Sequence, residues 1–224
     1  KMTRRSNKNG TILAIESGIR GGSLAVISGE EVIGEVSGDN SVSRAEDLLA
    51  KIDEIINSTV GSKHEIDSIA VSAGPGSFTG LRIGLATAMG LSSALGIRYS
   101  GIPLLRSMAE THSDEGRKIT VVPIGKVDLC YQEFERKDGK LIELTPARTG
   151  TVTRFRSEVC QFPATTIIAH SGVIGPTTVS EQLLNSDMWI DLGSNLASVI
   201  GKYSLMIGAE FVSSPIYVQS PRSS

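Results

Sequence analysis

Glycines, hydroxyls and one cation are concentrated in a single loop of this chain, Gly74-Pro-Gly-Ser-Phe-Thr-Gly-Leu-Arg-Ile-Gly84. Gly74, Gly76 and Gly80 let backbone N–H groups approach another surface closely. Pro75 stiffens the entry, and Ser77 and Thr79 can cap a helix that follows. An apolar run at residues 66–71 precedes the loop, and a long apolar segment follows it. A strand, a glycine-rich turn and a helix N-terminus together make an anion cradle, with Arg82 a candidate phosphate anchor. The same arginine is equally an exposed first-turn residue, the commoner case. The loop matches neither standard phosphate loop: Gly80 is followed by Leu81-Arg82 rather than Lys-Ser/Thr, and Thr79 stands where a dinucleotide fingerprint needs glycine.

Other chemistry is sparse. Glu16 closes the first apolar run, as a carboxylate that could place a metal ion or as a solvated strand end. His64, His112 and His170 are scattered with no i, i+4 pair, so no zinc or iron site is expected from this chain alone. Cys130 and Cys160 lack CxxC spacing and read as reduced core thiols of a cytoplasmic protein. The 224 residues are 40% hydrophobic and 21% charged with a formal net charge of −2, which argues against a broad basic surface for nucleic acid. Residues 1–10 are the exception, with Lys1, Arg4, Arg5 and Lys8 and no acid, and read as a flexible basic terminus. No run has membrane-spanning length and no signal peptide is read.

These groups must be positioned by a regular frame. Residues 11–16 read as a strand, and 23–28 with 31–37 as a hairpin turning at Gly29-Glu30. Ser43-Arg-Ala-Glu46 is a capping box, behind which Ala45, Leu48, Leu49, Ile52, Ile55 and Ile56 recur at helical spacing to about residue 57. A strand at 66–71, a helix at 80–95, a strand at 97–101 and a helix opened by Pro103 complete a first unit. The order then restarts: a strand at 119–124, a hairpin of 128–136 and 141–144 around Asp138-Gly139, a helix at 152–160 and a strand at 165–169. Helical pieces follow at 179–184 and 196–207. Trp189 falls in a stretch too short to assign, with packing its default role. Strand, hairpin, helix, strand, helix, twice over, points to the duplicated actin-like, two-lobe α/β fold with ribonuclease-H-like mixed sheets. The lobes are placed at 11–113 and 114–208, with a C-terminal segment at 209–224.

The helix after the loop lacks a wet face. Between Leu81 and Leu95 its only charge is Arg82, while Leu85, Ala86, Ala88, Met89, Leu91 and Ala94 spread round the circumference. A helix apolar all round is buried on every side. Either other elements of the chain cover it or a second protein does. Gly80, Gly84 and Gly90 each weaken it by about 1 kcal/mol against alanine, which close packing would offset.

The glycine-rich loop, preceded by Ile69-Ala-Val and followed by a Gly/Ala-rich helix, resembles the signature of the TsaB (YeaZ) family, bacterial subunits of the machinery that makes threonylcarbamoyladenosine on tRNA. Ile12-Leu-Ala-Ile-Glu-Ser17 is similar to that family's first strand, Ala45-Glu46 with Leu48-Leu49 to its first helix, and Pro215-Ile-Tyr217 to its terminal Pro-x-Tyr. The usual histidine before Ser-Glu is replaced by Arg44. The likeness is strong over residues 11–113 and thin from 114 to 208.

The resemblance implies a non-catalytic partner. A TsaD-like subunit would carry the metal and transfer the threonylcarbamoyl group, a TsaE-like ATPase would complete the assembly, and tRNA would be met through the complex. Homodimerisation is implied when the chain is alone. ATP and a metal are then expected on partner subunits, with no cofactor bound by this chain. Actin-like phosphoryl transfer needs carboxylates at the ends of both first strands. Here Glu16 stands where the family usually has aspartate, and Ile124-Gly125-Lys126 where relatives show Asp-Ala-Arg. The expected partner surface comprises Leu49, Ile52 and Ile56 of the first helix and Leu85, Met89 and Ser92 of the second. The alternative is a free-standing ATP-using kinase or peptidase-like hydrolase of the same fold.

Overall fold

The computed structural model describes residues 10–37, 44–124, 128–159, 165–173 and 189–208. The basic N-terminal residues 1–9, Ser43 of the capping box, Lys126, Cys160, the helical piece at 179–184 and the C-terminal segment 209–224 lie outside them.

Strand β1 (Thr11–Glu16) is buried at every position, as a continuous apolar run requires, because both its faces are covered. It pairs antiparallel with β2 (Ser23–Ser28) and parallel with β4 (Ser68–Gly74). With the edge strands β3 (Glu31–Ser37) and β5 (Arg98–Pro103), the first sheet runs β3-β2-β1-β4-β5. The hairpin between β2 and β3 turns at Gly29, whose φ of 61° needs glycine.

A second sheet repeats the pattern. Strands β8 (Lys140–Glu143), β7 (Asp128–Lys137), β6 (Gly116–Ile124), β10 (Thr166–Ala169) and β11 (Trp189–Asp191) stand in the order and sense of β3, β2, β1, β4 and β5. The duplication inferred from the chain is thus a fact of topology. Asp138 and Gly139, at φ 51° and 71°, form the left-handed pair of a type I′ turn. Strand β9 (Arg148–Thr151), which pairs with β7, and β11 are only four and three residues long, too short for an alternating pattern to show in the sequence.

Five helices fill the layers among the described residues. On the outer face of the first sheet lie α1 (Arg44–Thr59) and α2 (Phe78–Leu95). Leu48, Ile52, Ile55 and Ile56 of α1 and Leu85 and Ala88 of α2 pack there on Leu13, Ile15, Val26, Ile69 and Val71. The helix α4 (Val152–Val159) covers the outer face of the second sheet through Phe155 and Val159.

Between the sheets the helices exchange places. The helix α3 (Leu104–Glu110), from the first half of the chain, packs chiefly against β6. The last helix, α5 (Leu196–Ile207), crosses back to β1, β2 and β4 of the first sheet, and the two helices pack on each other. Leu104, Leu105, Met108, Leu196 and Ile200 thereby join Ile27 and Ala70 to Val122, Cys130 and Phe134 in one core. Each such large side chain contributes about 1.5–3 kcal/mol on burial. The approach of α5 is close: a Cβ on Gly201 would stand 2.2 Å from Ile27 Cδ1 and 3.0 Å from Ala14 Cβ.

Candidate functional site

The glycine-rich loop leaves β4 at Gly74, which holds a φ of 101°, and enters α2 at Phe78. Ser77 is the N-cap; its side chain accepts from Gly80 N at 3.4 Å, while Thr79 is an exposed first-turn residue. The surface that the glycines approach is the chain's own turn after β1. Ser77 N donates to Gly18 O at 2.7 Å, and Ser17 Oγ donates to Gly80 O at 2.8 Å. A Cβ on Gly76 would stand 2.7 Å from Gly18 Cα, and one on Gly18 2.7 Å from Leu81 Cδ2. The backbone of Gly18 cannot yield to a Cβ on Gly76 as the Leu81 side chain could to one on Gly18. Gly76, and Gly84 against Ser17, are therefore held at an internal seam between the loop and the turn.

Glu16 belongs to the same seam. It is not a solvated strand end: it is 2% exposed. Its Oε1 accepts from Gly18 N at 2.6 Å and from Ile19 N at 2.9 Å, so the carboxylate shapes the turn that the loop rests on. Hydrogen bonds to a carboxylate are among the stronger ones, and here they pin the geometry of β1's end. The sequence showed the carboxylate but not the N–H groups two and three residues on that it would hold.

The outer stripe of α2 is the second element. Phe78, Arg82, Ala86, Met89, Gly90, Ser93 and Ala94 are all exposed, with Phe78 at 50% and Met89 at 52%. The described part of the chain does not roof this face. Arg82, its one charge, lies with Cζ 3.6 Å from the Phe78 ring centroid, a cation–π geometry that covers part of the ring. Nothing stands within 4 Å of where a Cβ on Gly90 would be, so this glycine has no packing reason in the described chain.

The residues expected to form a partner surface divide. Leu49 is 57% exposed and Met89 shares the same outer helical layer. Ile52, Ile56 and Leu85 are instead core residues beneath the two helices, because the helical period turns them onto the sheet. Ser92 is half-buried, its hydroxyl donating to Ile97 O at 2.5 Å to close the end of α2. Phe78 was missed, although its i, i+4 spacing to Arg82 and Ala86 places it on the exposed stripe.

Elsewhere the titratable groups are structural. Glu133 is buried and held by Arg117 and Arg148; burial would raise its pKa, but the two guanidinium partners outweigh this and hold it below the usual carboxylate value. Arg148 also pairs with Glu158, as does Arg154. Burial pushes the Cys130 thiol up to about 12. His170, 6% exposed, has its pKa lowered by burial, and its Nδ1 accepts from Gly172 N at 2.8 Å. Among the described residues no three His, Cys, Asp or Glu side chains are grouped so as to hold a metal ion. No described helix is long and apolar enough to cross a membrane.

The family model described as "TsaD: tRNA N6-adenosine threonylcarbamoyltransferase" matches residues 40–131, which hold α1, the loop and α2. A tRNA threonylcarbamoyladenosine biosynthesis protein TsaB of Buchnera aphidicola is 31% identical over 93 residues, 40% of this chain and 42% of that protein. The TsaB of Escherichia coli is 35% identical over 94 residues, 41% of each chain. The crystal structure of YeaZ from Pseudomonas aeruginosa superposes with a TM-score of 0.65 at 15% identity, covering 93% of this chain and 100% of that one. Over about two-fifths of its length the chain is similar in sequence to TsaB proteins. Its fold is the α/β actin-like fold with mixed sheets. The sequence match to the TsaB relatives spans about two-fifths of their length, 42% and 41% in these two. The stretch matched by the family model holds α1, β4, the glycine-rich loop, α2, β5, α3 and β6.

Proposed function

We propose that this chain is a TsaB-like, non-catalytic partner subunit of the assembly that adds threonylcarbamoyl to adenosine of tRNA, docking a TsaD-like catalytic subunit through the outer layer of α1 and α2. The observation that carries this is the exposed stripe of α2, with Phe78 and Met89 half in solvent and Arg82 its only charge. Large apolar side chains flanked by small ones suit close helix packing against a second protein. Leu49 extends the same layer onto α1.

The loop–turn seam supports a partner role over catalysis by this chain. Phosphoryl transfer in an actin-like enzyme needs the first-strand carboxylate to face a metal ion or its water. In this chain Oε1 of Glu16 faces the Gly18 and Ile19 N–H groups. ATP and metal are accordingly assigned to the TsaD-like and TsaE-like subunits, and tRNA contact to the complex.

Mixing the purified chain with a TsaD-like protein and measuring association by sedimentation tests the proposal. A complex at micromolar concentration that Met89→Glu abolishes is the expected result. Absence of a complex with and without ATP would overturn it, and a shift of the chain alone to dimer would identify self-association as the use of the stripe.

A further inference from the structure

Arg106 stands where the chain passes from one sheet to the other. It lies in α3, which follows β5 of the first sheet directly but packs chiefly on β6 of the second. Its guanidinium serves two further elements. Nε donates to the Tyr203 hydroxyl of α5 at 3.0 Å. Nη1 donates to Glu143 Oε1 at 3.0 Å and Nη2 to Leu141 O at 3.3 Å, both on β8 of the second sheet. Glu143 is held in turn, its Oε2 accepting from Gln132 Nε2 of β7 at 3.3 Å. Glu110, one turn on from Arg106, pairs with Arg136 of β7. The helix α3 is thus tied by polar contacts to the second sheet, and the Arg106–Tyr203 bond reaches from it to α5, which packs on the first.

Beside this bond the two helices are not packed together. A groove of about 370 Å³ lies between them, with Ser107, Glu110 and Thr111 on α3 and Ser198, Lys202 and Met206 on α5. Tyr203 lines the same groove. Close-packed interiors hold few voids larger than a water molecule, so this pair of helices has room to shift. The rest of their contact is apolar, through Leu104, Leu105 and Met108 against Leu196 and Ile200. Apolar contact is non-directional, and shear motions proceed by the sliding of packed helices. A guanidinium fork is directional. With Arg106 and Glu143 31% and 50% exposed, their ion pair contributes little to stability; what the fork fixes is alignment.

We propose that the α3–α5 contact is a shear joint between the two sheets, and that Arg106 latches it through Tyr203, holding the sheets in one relative orientation.

Spin labels at Glu31→Cys on β3 and Lys137→Cys on β7, both exposed positions, report the separation of the sheets. A Cys160→Ser background leaves Cys130, which is buried, as the one natural thiol. Double electron–electron resonance on the otherwise wild-type chain should give a single narrow distance distribution. Tyr203→Phe and Arg106→Met should each add a second population of at least roughly 10%, with circular dichroism and the melting temperature nearly unchanged. Arg106→Lys, which offers one ammonium in place of a three-way fork, should fall between them and the wild type. Should Arg106→Met fail to fold, Tyr203→Phe, which removes a single hydroxyl, carries the test. Two populations before any latch residue is changed would overturn the proposal. A single unchanged distance in Tyr203→Phe would overturn it too, leaving the fork a local packing contact.

Discussion

Ser17 Oγ donates to the Gly80 carbonyl at 2.8 Å and lies 2.1 Å from where a Cβ on Gly84 would stand. Gly84→Ala must therefore displace the hydroxyl and break its bond to α2. Overpacking of this kind costs about 1–3 kcal/mol, which outweighs the ~1 kcal/mol that alanine gains over glycine in a helix. Gly90 meets nothing in the described chain, so Gly90→Ala should stabilise the isolated protein by roughly 0.5–1 kcal/mol. Urea unfolding of the two variants should move in opposite directions. Weakened partner binding by the more stable Gly90→Ala protein would show that the glycine serves a contact outside the chain.

Glu16 gives a second expectation. Glu16→Ala removes the acceptor of two buried N–H groups and should destabilise by about 2–4 kcal/mol, whereas Glu16→Gln keeps an oxygen in place and should lose less. Calorimetry of the wild-type chain with Mg-ATP should give no binding that depends on Glu16. Tight, Glu16-dependent binding would favour the free-standing enzyme.

The outer layer is tested by contrasting exposed with inward positions. Met89→Glu and Leu49→Glu should leave the melting temperature nearly unchanged and abolish association with a TsaD-like subunit. Leu85→Arg, by contrast, places a charge against Leu13 and Val71 of the core and should unfold the protein. Thermal melting alongside sedimentation separates the two effects.

Glu133 sits 3% exposed between Arg117 and Arg148. Removing it as Glu133→Ala takes a shared partner from both guanidinium groups, though Arg148 keeps Glu158, and should cost about 1–3 kcal/mol. Chemical denaturation measures this directly.

His170 makes stability depend on pH. Its folded pKa is lowered by burial, with the neutral ring accepting from Gly172 N, while the unfolded chain titrates near 6.5. Below that value the unfolded state binds more protons than the folded one, so stability is full above about 6.5 and declines as pH falls through the lowered folded value. His170→Asn, which can still accept the Gly172 N–H, should flatten the curve between pH 7 and 5. An unchanged slope in denaturation midpoints would place the proton uptake elsewhere.

The frame was legible because periodicity was. The continuous apolar run of β1, the helical spacing from Leu48 to Ile56 and the Asp138-Gly139 turn each encode one element locally. Burial direction was harder. Ile52, Ile56 and Leu85 are apolar like Leu49 and Met89, and only the phase of the helix against the sheet separates core from surface. The loop at Gly74–Gly84 was recognised as unusual, but its purpose depends on Gly18, a residue more than fifty positions away that no local pattern links to it. β9 escaped notice for a related reason: Arg148-Thr-Gly-Thr becomes a strand only because β7 offers it an edge.

The return of α5 to the first sheet bears on how the protein is made. Ala14 and Ile27 are translated well before the helix that shields them, in which Gly201 is pressed against both. A nascent chain halted midway would hold an uncovered sheet face on the ribosome, a target for chaperones and for aggregation. Folding of the first sheet should therefore wait until α5 has been synthesised, and fragments ending before residue 196 should be cleared rather than accumulate.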